Sequence, residues 1–231
     1  MYFDAHIHLL PIDELIKAKQ QGVHSFIMNA TTPSEWDKII SLSHKIEHLY
    51  PAIGVHPWFI KNLETNWAIK MENLLKQHPF IMIGEIGLDY LKPDKEKQIQ
   101  IFKTCLNLAQ KYNRPVHIHA VKAWHDILGI LKDYSNIKYL FHQFSASDDI
   151  IQKLSQFDSF FSISNPKKIK HLPFNRILVE TDSPNHEKTP SNIVEIVKNL
   201  NLNPSQLFQN FQNFVSPFDN LKLLKEKKYD I

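Results

Sequence analysis

The chain has 231 residues, 43% of them apolar, 22% charged and 11% aromatic, with a net charge of +3. That is enough apolar material for a packed core and excludes a disordered chain, while so small a charge does not by itself argue for nucleic acid. One cysteine, Cys105, excludes an intramolecular disulfide and a thiol-rich zinc site. It lies in a helical pattern and reads as a small buried apolar residue. The N-terminus has no basic stretch followed by an apolar run, and no segment approaches the roughly 18 apolar residues needed to span a bilayer. The expectation is a cytoplasmic protein with no membrane partner. Thirteen histidines are the informative excess, because imidazole is both a metal ligand and an acid–base group.

In chain order, short apolar runs alternate with stretches of helical periodicity. The first run, "YFDAHIHL", carries Asp4, His6 and His8 at every second position. "PIDELIKAKQQG" follows with a Pro start and a Gly stop. After the second run, "SFIMNA", comes "TTPSEWDKIISLSHKIEHL", opened by Thr and Pro as an N-cap and N1 would be. The third, "PAIGVH", ends in His56 and leads to "NLETNWAIKMENLLKQHP". The fourth, "FIMIGEIGL", is read as a strand ending in Glu85, with Asp89 just beyond, and precedes the helix of "KPDKEKQIQIFKTCLNLAQKYNRP". The fifth, "PVHIHAV", contains His117 and His119 and is followed by "AWHDILGILKDY". The sixth, "KYLFHQF", ends in His142. After the seventh, "SFFSIS", "NPKKIKHLPFN" is short and weakly helical. The eighth, "RILVETD", ends in Glu180 and Asp182. "TPSNIVEIVKNL" and "NPSQLFQNFQNFVSPF" read as closing helices, and "LKLLKEKKYDI" as a solvated helix end or tail.

Eight strands alternating with helices predict a (β/α)8 TIM barrel, one domain over residues 1–231. An open doubly wound sheet is the competing fold. No Gly-rich phosphate loop is present, and the chain has only five glycines. In a barrel the polar strand ends share one rim, where barrel active sites lie. Buried carboxylates and imidazoles are costly unless paired or bound to metal, so their convergence on that rim predicts a joint metal site. Side chains at i and i+2 face the same way, so His6 and His8 can grip one cation. Imidazole mixed with carboxylate suits zinc, manganese or iron better than magnesium or calcium alone. Four imidazoles and two carboxylates exceed the needs of one cation, so two divalent ions bridged by a carboxylate, with Glu85 the central candidate, are expected. Asp4 reads as a partner that orients a histidine. His117, one layer deeper than His119, reads as a hydrogen-bonded core histidine.

The segments "FDAHIH", "GVHPW", "GEIGLDY", "RPVHIHA", "FHQFSAS" and "LVETDSP" stand in the order and approximate spacing of a known family. The chain resembles the TatD family of metal-dependent hydrolases, amidohydrolase-like barrels, over nearly its whole length. The resemblance implies one cation held by His6, His8, Glu85 and Asp182 and a second held by Glu85, His119 and His142. It implies His56 beside them as a substrate or supporting residue, and divalent-metal-dependent DNA hydrolysis, often as a 3′-to-5′ exonuclease. The ions would be zinc, manganese or magnesium. Catalytic roles fall to Asp182 as general base, Glu85 as bridge and His56 as donor to the leaving oxygen. Three positions depart from the family pattern: Val121 where an arginine is frequent, Ala146 within Ser145–Ser147, and Asn185 where an aromatic commonly stands.

A DNA substrate would need cations and aromatics on the rim. Lys92, Lys122, Lys167, Lys168 and Lys170 follow strands there and are candidates for phosphate contact. Trp58, Phe59 and Tyr90 are candidates for stacking on an unpaired base. No obligate protein partner is evident. The competing functions are an amidase or lactonase on the same barrel, a PHP-type phosphoesterase and a catalytically silent metal-binding protein. Glu85, where many amidases place a carboxylated lysine, and "ETDSP", which lacks the PHP histidine, favour the TatD-like reading.

Overall fold

The computed structural model describes residues 1–168 and 171–229, with the side chains of Lys168, His186 and residues 217–229 left aside. Eight parallel strands pair in sequence order: β1 (Tyr2–Ile7), β2 (Val23–Asn29), β3 (Leu49–Ile53), β4 (Met82–Asp89), β5 (Val116–Val121), β6 (Lys138–Phe141), β7 (Asp158–Ile163) and β8 (Ile177–Val179). The ring closes through the segment just after β8. Ile7 bridges Ser183 in parallel, the Asp182 N–H donates to the His6 carbonyl at 3.0 Å, and the His8 N–H donates to the Ser183 carbonyl at 2.7 Å. Closure settles the choice of fold in favour of the barrel.

The strands are buried because helices cover them. All eight residues of β4 are buried, as expected of a parallel strand with both faces covered. The outer helices are α1 (Ile12–Gln20), α2 (Trp36–Lys45), α3 (Trp67–Gln77), α4 (Lys95–Tyr112), α5 (Trp124–Leu131), α6 (Asp148–Leu154) and α7 (Ile193–Leu200), and α8 (Pro204–Tyr229) follows them. The sequence reading has no counterpart of α6, whose seven residues offer barely two turns of periodicity. Between β7 and β8 the weakly helical stretch contains two 3₁₀ turns, Pro166–Lys168 and Phe174–Arg176. Lys170 lies outside the described residues. No helix among those described is long and apolar enough to cross a membrane.

The last helix closes the end of the barrel opposite the histidine rim. Phe211 stacks on Phe3 with ring centroids 4.4 Å apart and meets Tyr50 edge-on, while Phe214 packs on His117 and Phe160. Lys138, the first residue of β6, donates to the Asn213 carbonyl at 2.5 Å. The lower mouth is thus filled by aromatic rings, and the opening that remains is at the strands' C-terminal ends.

Two glycines draw the strands together at the height of the site. A Cβ on Gly54 would lie 2.5 Å from the Glu85 carbonyl oxygen. At Gly87 the backbone has φ +146°, and a Cβ would lie 2.0 Å from the His119 carbonyl oxygen. Neither approach tolerates a side chain. Their absence lets β4 run close to both neighbours and brings Glu85 and His119 together.

Candidate metal centre

Glu85 is the hub of the rim. Its Oε1 lies 2.7 Å from His142 Nε2, 2.8 Å from His119 Nδ1 and 3.3 Å from His56 Nε2. Its Oε2 lies 3.3 Å from His6 Nε2 and 3.5 Å from His8 Nε2. Asp182 faces the Oε2 side, with Oδ1 3.1 Å from His8 Nε2 and 3.8 Å from His6 Nε2. Three overlapping sets of potential ligand atoms result: His6, His142 and Asp182; His6, His8 and Glu85; His56, Glu85 and His119. Every one of the residues proposed from sequence as a metal ligand is in this cluster.

The hydrogen bonds around the cluster decide which nitrogens are free to bind. His8 Nδ1 donates to the Asn29 carbonyl at 3.1 Å, so Nε2 turns toward the carboxylates. His119 presents Nδ1 to Glu85 and turns Nε2 toward Asp89 Oδ2, 3.6 Å away. His142 presents Nε2 to Glu85 and turns Nδ1 toward Glu180, 3.8 Å away. Glu180 itself accepts from the Ser162 hydroxyl and the Gln143 N–H. At separations of 3.6 and 3.8 Å neither His119 Nε2 nor His142 Nδ1 makes a hydrogen bond among the described residues. His56 differs: its Nδ1 accepts the Trp58 N–H at 3.1 Å, so a neutral ring carries its proton on Nε2, the atom facing Glu85. It is a donor in this arrangement, although its position would also suit a ligand.

The donor set fits divalent cations. Five imidazoles around one carboxylate are more lone pairs than protons can satisfy in a buried site. His6 Nε2 is buried, points at Glu85 and makes no hydrogen bond. Burial, and then the charge of His142, push the His6 imidazole down to about 4. Burial alone would raise the Glu85 carboxyl, but the charges of His142 and His56 and hydrogen bonds from His119 and His142 hold it well below the usual range. Burial disfavours the His142 imidazolium, yet the Glu85 charge outweighs it and pushes that ring up to about 10. Asp182, where burial is overcome by the hydrogen bond from His8, is drawn down to about 2. His6 thus offers a neutral ring nitrogen beside the anionic Glu85 and Asp182, whereas His142 must give up its proton before a cation can take its Nε2.

Two supporting roles differ from those expected. Asp4 orients no imidazole: it accepts from the Thr181 N–H at 3.0 Å, the Thr181 hydroxyl and the His6 N–H at 3.3 Å. It ties the end of β8 to β1 through the backbone. His117 is fully buried, as expected of a core residue, but neither ring nitrogen has a hydrogen-bond partner. Its ring lies between those of His6 and Phe214, with centroids 5.9 and 5.4 Å away. Burial pushes it well below the usual imidazole value, so it packs as a neutral ring.

A cavity of about 290 Å³ opens over the cluster, walled by Leu9, Thr31, Glu35, Trp58, Phe59, Pro184 and Asn185. Trp58 is 52% exposed, and its indole N–H donates to Asp89 Oδ2 at 2.6 Å. Lys92 Nζ lies 4.4 Å over the same ring. Tyr90 is directed elsewhere: its hydroxyl donates to Asp126 and Lys95 covers its ring. Lys122 and Lys167 are exposed and do not line the cavity. The side chain of Lys168 lies outside the described residues. Asn185, at the family's aromatic position, lines the cavity and donates to Asp182 Oδ1 at 3.2 Å. Thr31 and Glu35 were not singled out from sequence, because "TTPSE" reads equally well as a helix start.

A (β/α)8 barrel whose C-terminal rim gathers histidines and carboxylates around one central glutamate belongs to the metal-dependent barrel hydrolases. Residues 3–212 match the model of the TatD related DNase family, and the chain belongs to that family. It is 28% identical over 211 residues to Deoxyribonuclease TATDN3 of Homo sapiens, covering 78% of this chain and 77% of that protein. It is 27% identical over 205 residues to the uncharacterized metal-dependent hydrolase YabD of Bacillus subtilis, covering 80% of each. The fold matches that of YJJV, a TatD homolog from Escherichia coli, with a TM-score of 0.83 at 23% identity over 94% of this chain and 97% of that one.

Proposed function

We propose that this metal-dependent hydrolase cleaves phosphodiester bonds of single-stranded DNA with two divalent cations. The observation that carries the reading is the split of the Glu85 carboxylate, whose two oxygens face two different groups of imidazoles. One cation would be held by His6, His8, Glu85 and Asp182, the other by Glu85, His119 and His142. Zinc, manganese and magnesium are the candidate ions. Divalent cations in such a pair supply an activated water and offset charge on the phosphoryl oxygens.

The chain's own groups do the rest. Asp182, anionic and beside the Oε2 side of Glu85, accepts the proton of the attacking water. His56 donates a hydrogen bond from Nε2 to the leaving oxygen, with its tautomer held by the Trp58 N–H. The exposed Trp58 ring stacks on a base, while Lys122 and Lys167 act as outer phosphate contacts beyond the cavity. The deoxyribonuclease named among the relatives supports DNA as the substrate.

The test is a panel of single-stranded DNA, a model phosphodiester, and amides and lactones, each assayed with Mg²⁺, Mn²⁺ and Zn²⁺. DNA and the model ester should be hydrolysed in a metal-dependent way, and Asp182→Asn should abolish turnover while the fold survives. Turnover of amides or lactones alone would replace this reading with the amidase one.

A further inference from the structure

We infer that Glu35 is a specificity-determining residue that reads the end of the substrate, accepting a terminal hydroxyl and rejecting a terminal phosphate. The inference rests on the phosphodiesterase reading above.

Glu35 closes the 3₁₀ turn Pro33–Glu35 that follows β2, and its side chain folds back to the start of the turn. Its Oε2 is fully engaged: it accepts from the Thr31 N–H at 2.6 Å, the Thr31 hydroxyl at 3.0 Å and the Thr32 N–H at 3.3 Å. These three bonds fix the carboxylate in place. Oε1 has no hydrogen bond among the described residues, and Glu35 and Thr31 both line the cavity over the metal centre. A fixed carboxylate with one unused oxygen on a cavity wall is a hydrogen-bond acceptor awaiting a donor.

The charge of the wall gives the sign of the selection. Among the described residues lining this cavity there is no lysine or arginine. Outside the candidate ligands, the charged wall group is the Glu35 carboxylate. A scissile phosphate drawn to the cations leaves the neighbouring terminal group of the substrate against the wall formed by Trp58, Phe59, Thr31 and Glu35. A hydroxyl there can donate to Oε1. A terminal phosphate beside Glu35 would meet a like charge, since Lys92, 4.4 Å over the Trp58 ring, borders this wall but is not among the residues lining the cavity, and juxtaposed like charges are strongly discriminated.

Glu35→Gln separates the two oxygens' roles. The Gln carbonyl can still accept the three bonds that now hold Oε2, while its NH₂ replaces the free acceptor by a donor. The experiment compares one single-stranded tetranucleotide in three forms: hydroxyls at both ends, a phosphate added at the 5′ end, and a phosphate added at the 3′ end. For the wild type, a phosphate at one of the two ends should lower kcat/KM by about 10- to 100-fold. In Glu35→Gln that penalty should shrink to about threefold or less, with the hydroxyl-ended form itself hydrolysed less efficiently. Equal turnover of all three forms by the wild type would overturn the inference without recourse to any variant. So would a wild-type penalty that Glu35→Gln leaves unchanged. Hydrolysis of none of the three by the wild type would overturn the phosphodiesterase reading and this inference with it.

Discussion

His142 Nε2 stands 2.7 Å from Glu85 Oε1, while His6 Nε2 stands 3.3 Å from Oε2 of the same carboxylate. One side chain from β4 therefore links two sets of imidazoles, one from β1 and the segment just after it and one from residues 56–142. Glu85→Gln keeps the size of this side chain and removes its charge. It should reduce bound divalent metal from two ions to one or none per chain, measured by elemental analysis after dialysis. Turnover should fall by about 10²–10³-fold or more. Full turnover with two ions retained would eliminate a bridging role for Glu85.

Metal binding should release protons. In the metal-free protein the Glu85 charge, acting against burial, raises the His142 imidazole to about 10, so it carries a proton throughout neutral pH. A cation taking Nε2 must displace that proton, so apparent affinity rises with pH below that value. Titration calorimetry in buffers of different ionisation enthalpy should show net proton release on binding. His142→Ala should reduce it. An affinity that does not vary between pH 6 and 8 would contradict this assignment.

The exposed Trp58 ring and the outlying lysines should separate in a salt series. Trp58→Ala should weaken single-stranded DNA binding by about 1–3 kcal/mol with the salt slope unchanged, because stacking releases no counterions. Lys122→Ala or Lys167→Ala should each lower the slope by about one. Fluorescence anisotropy from low to moderate salt checks both. Loss of slope in Trp58→Ala would mean that the ring acts through Lys92, which lies over it.

Gly87→Ala should destabilise the barrel. With φ +146° and the His119 carbonyl 2.0 Å from the position of a Cβ, β4 and β5 must part to admit a methyl group. The cost should be at least about 2 kcal/mol, read as a lower urea midpoint with an unchanged m value. Because the displaced strands carry Glu85 and His119, metal affinity should fall as well.

The sequence alone determined the barrel and the rim. Apolar runs of strand length, spaced by amphipathic stretches, are a local property, and His6, His142 and Asp182 mark strand ends without reference to any partner, whereas Glu85, expected at the end of the fourth strand, lies within β4 because pairing with β5 carries that strand on to Asp89. The helix α6 escaped because seven residues carry too little periodicity to register. Only the tertiary structure decided what each polar group faces. Asp4 turned to Thr181, 177 residues away, and His117 was packed between His6 and Phe214 without a hydrogen bond. Glu35 could not be separated from an ordinary helix start, because the cavity it lines is made by β4 together with the segments after β1, β2, β3, β6 and β8. Periodicity reports which residues lie on one face of one element. Which atoms meet across a closed barrel depends on strand register and loop path, and those are fixed only when the ring closes.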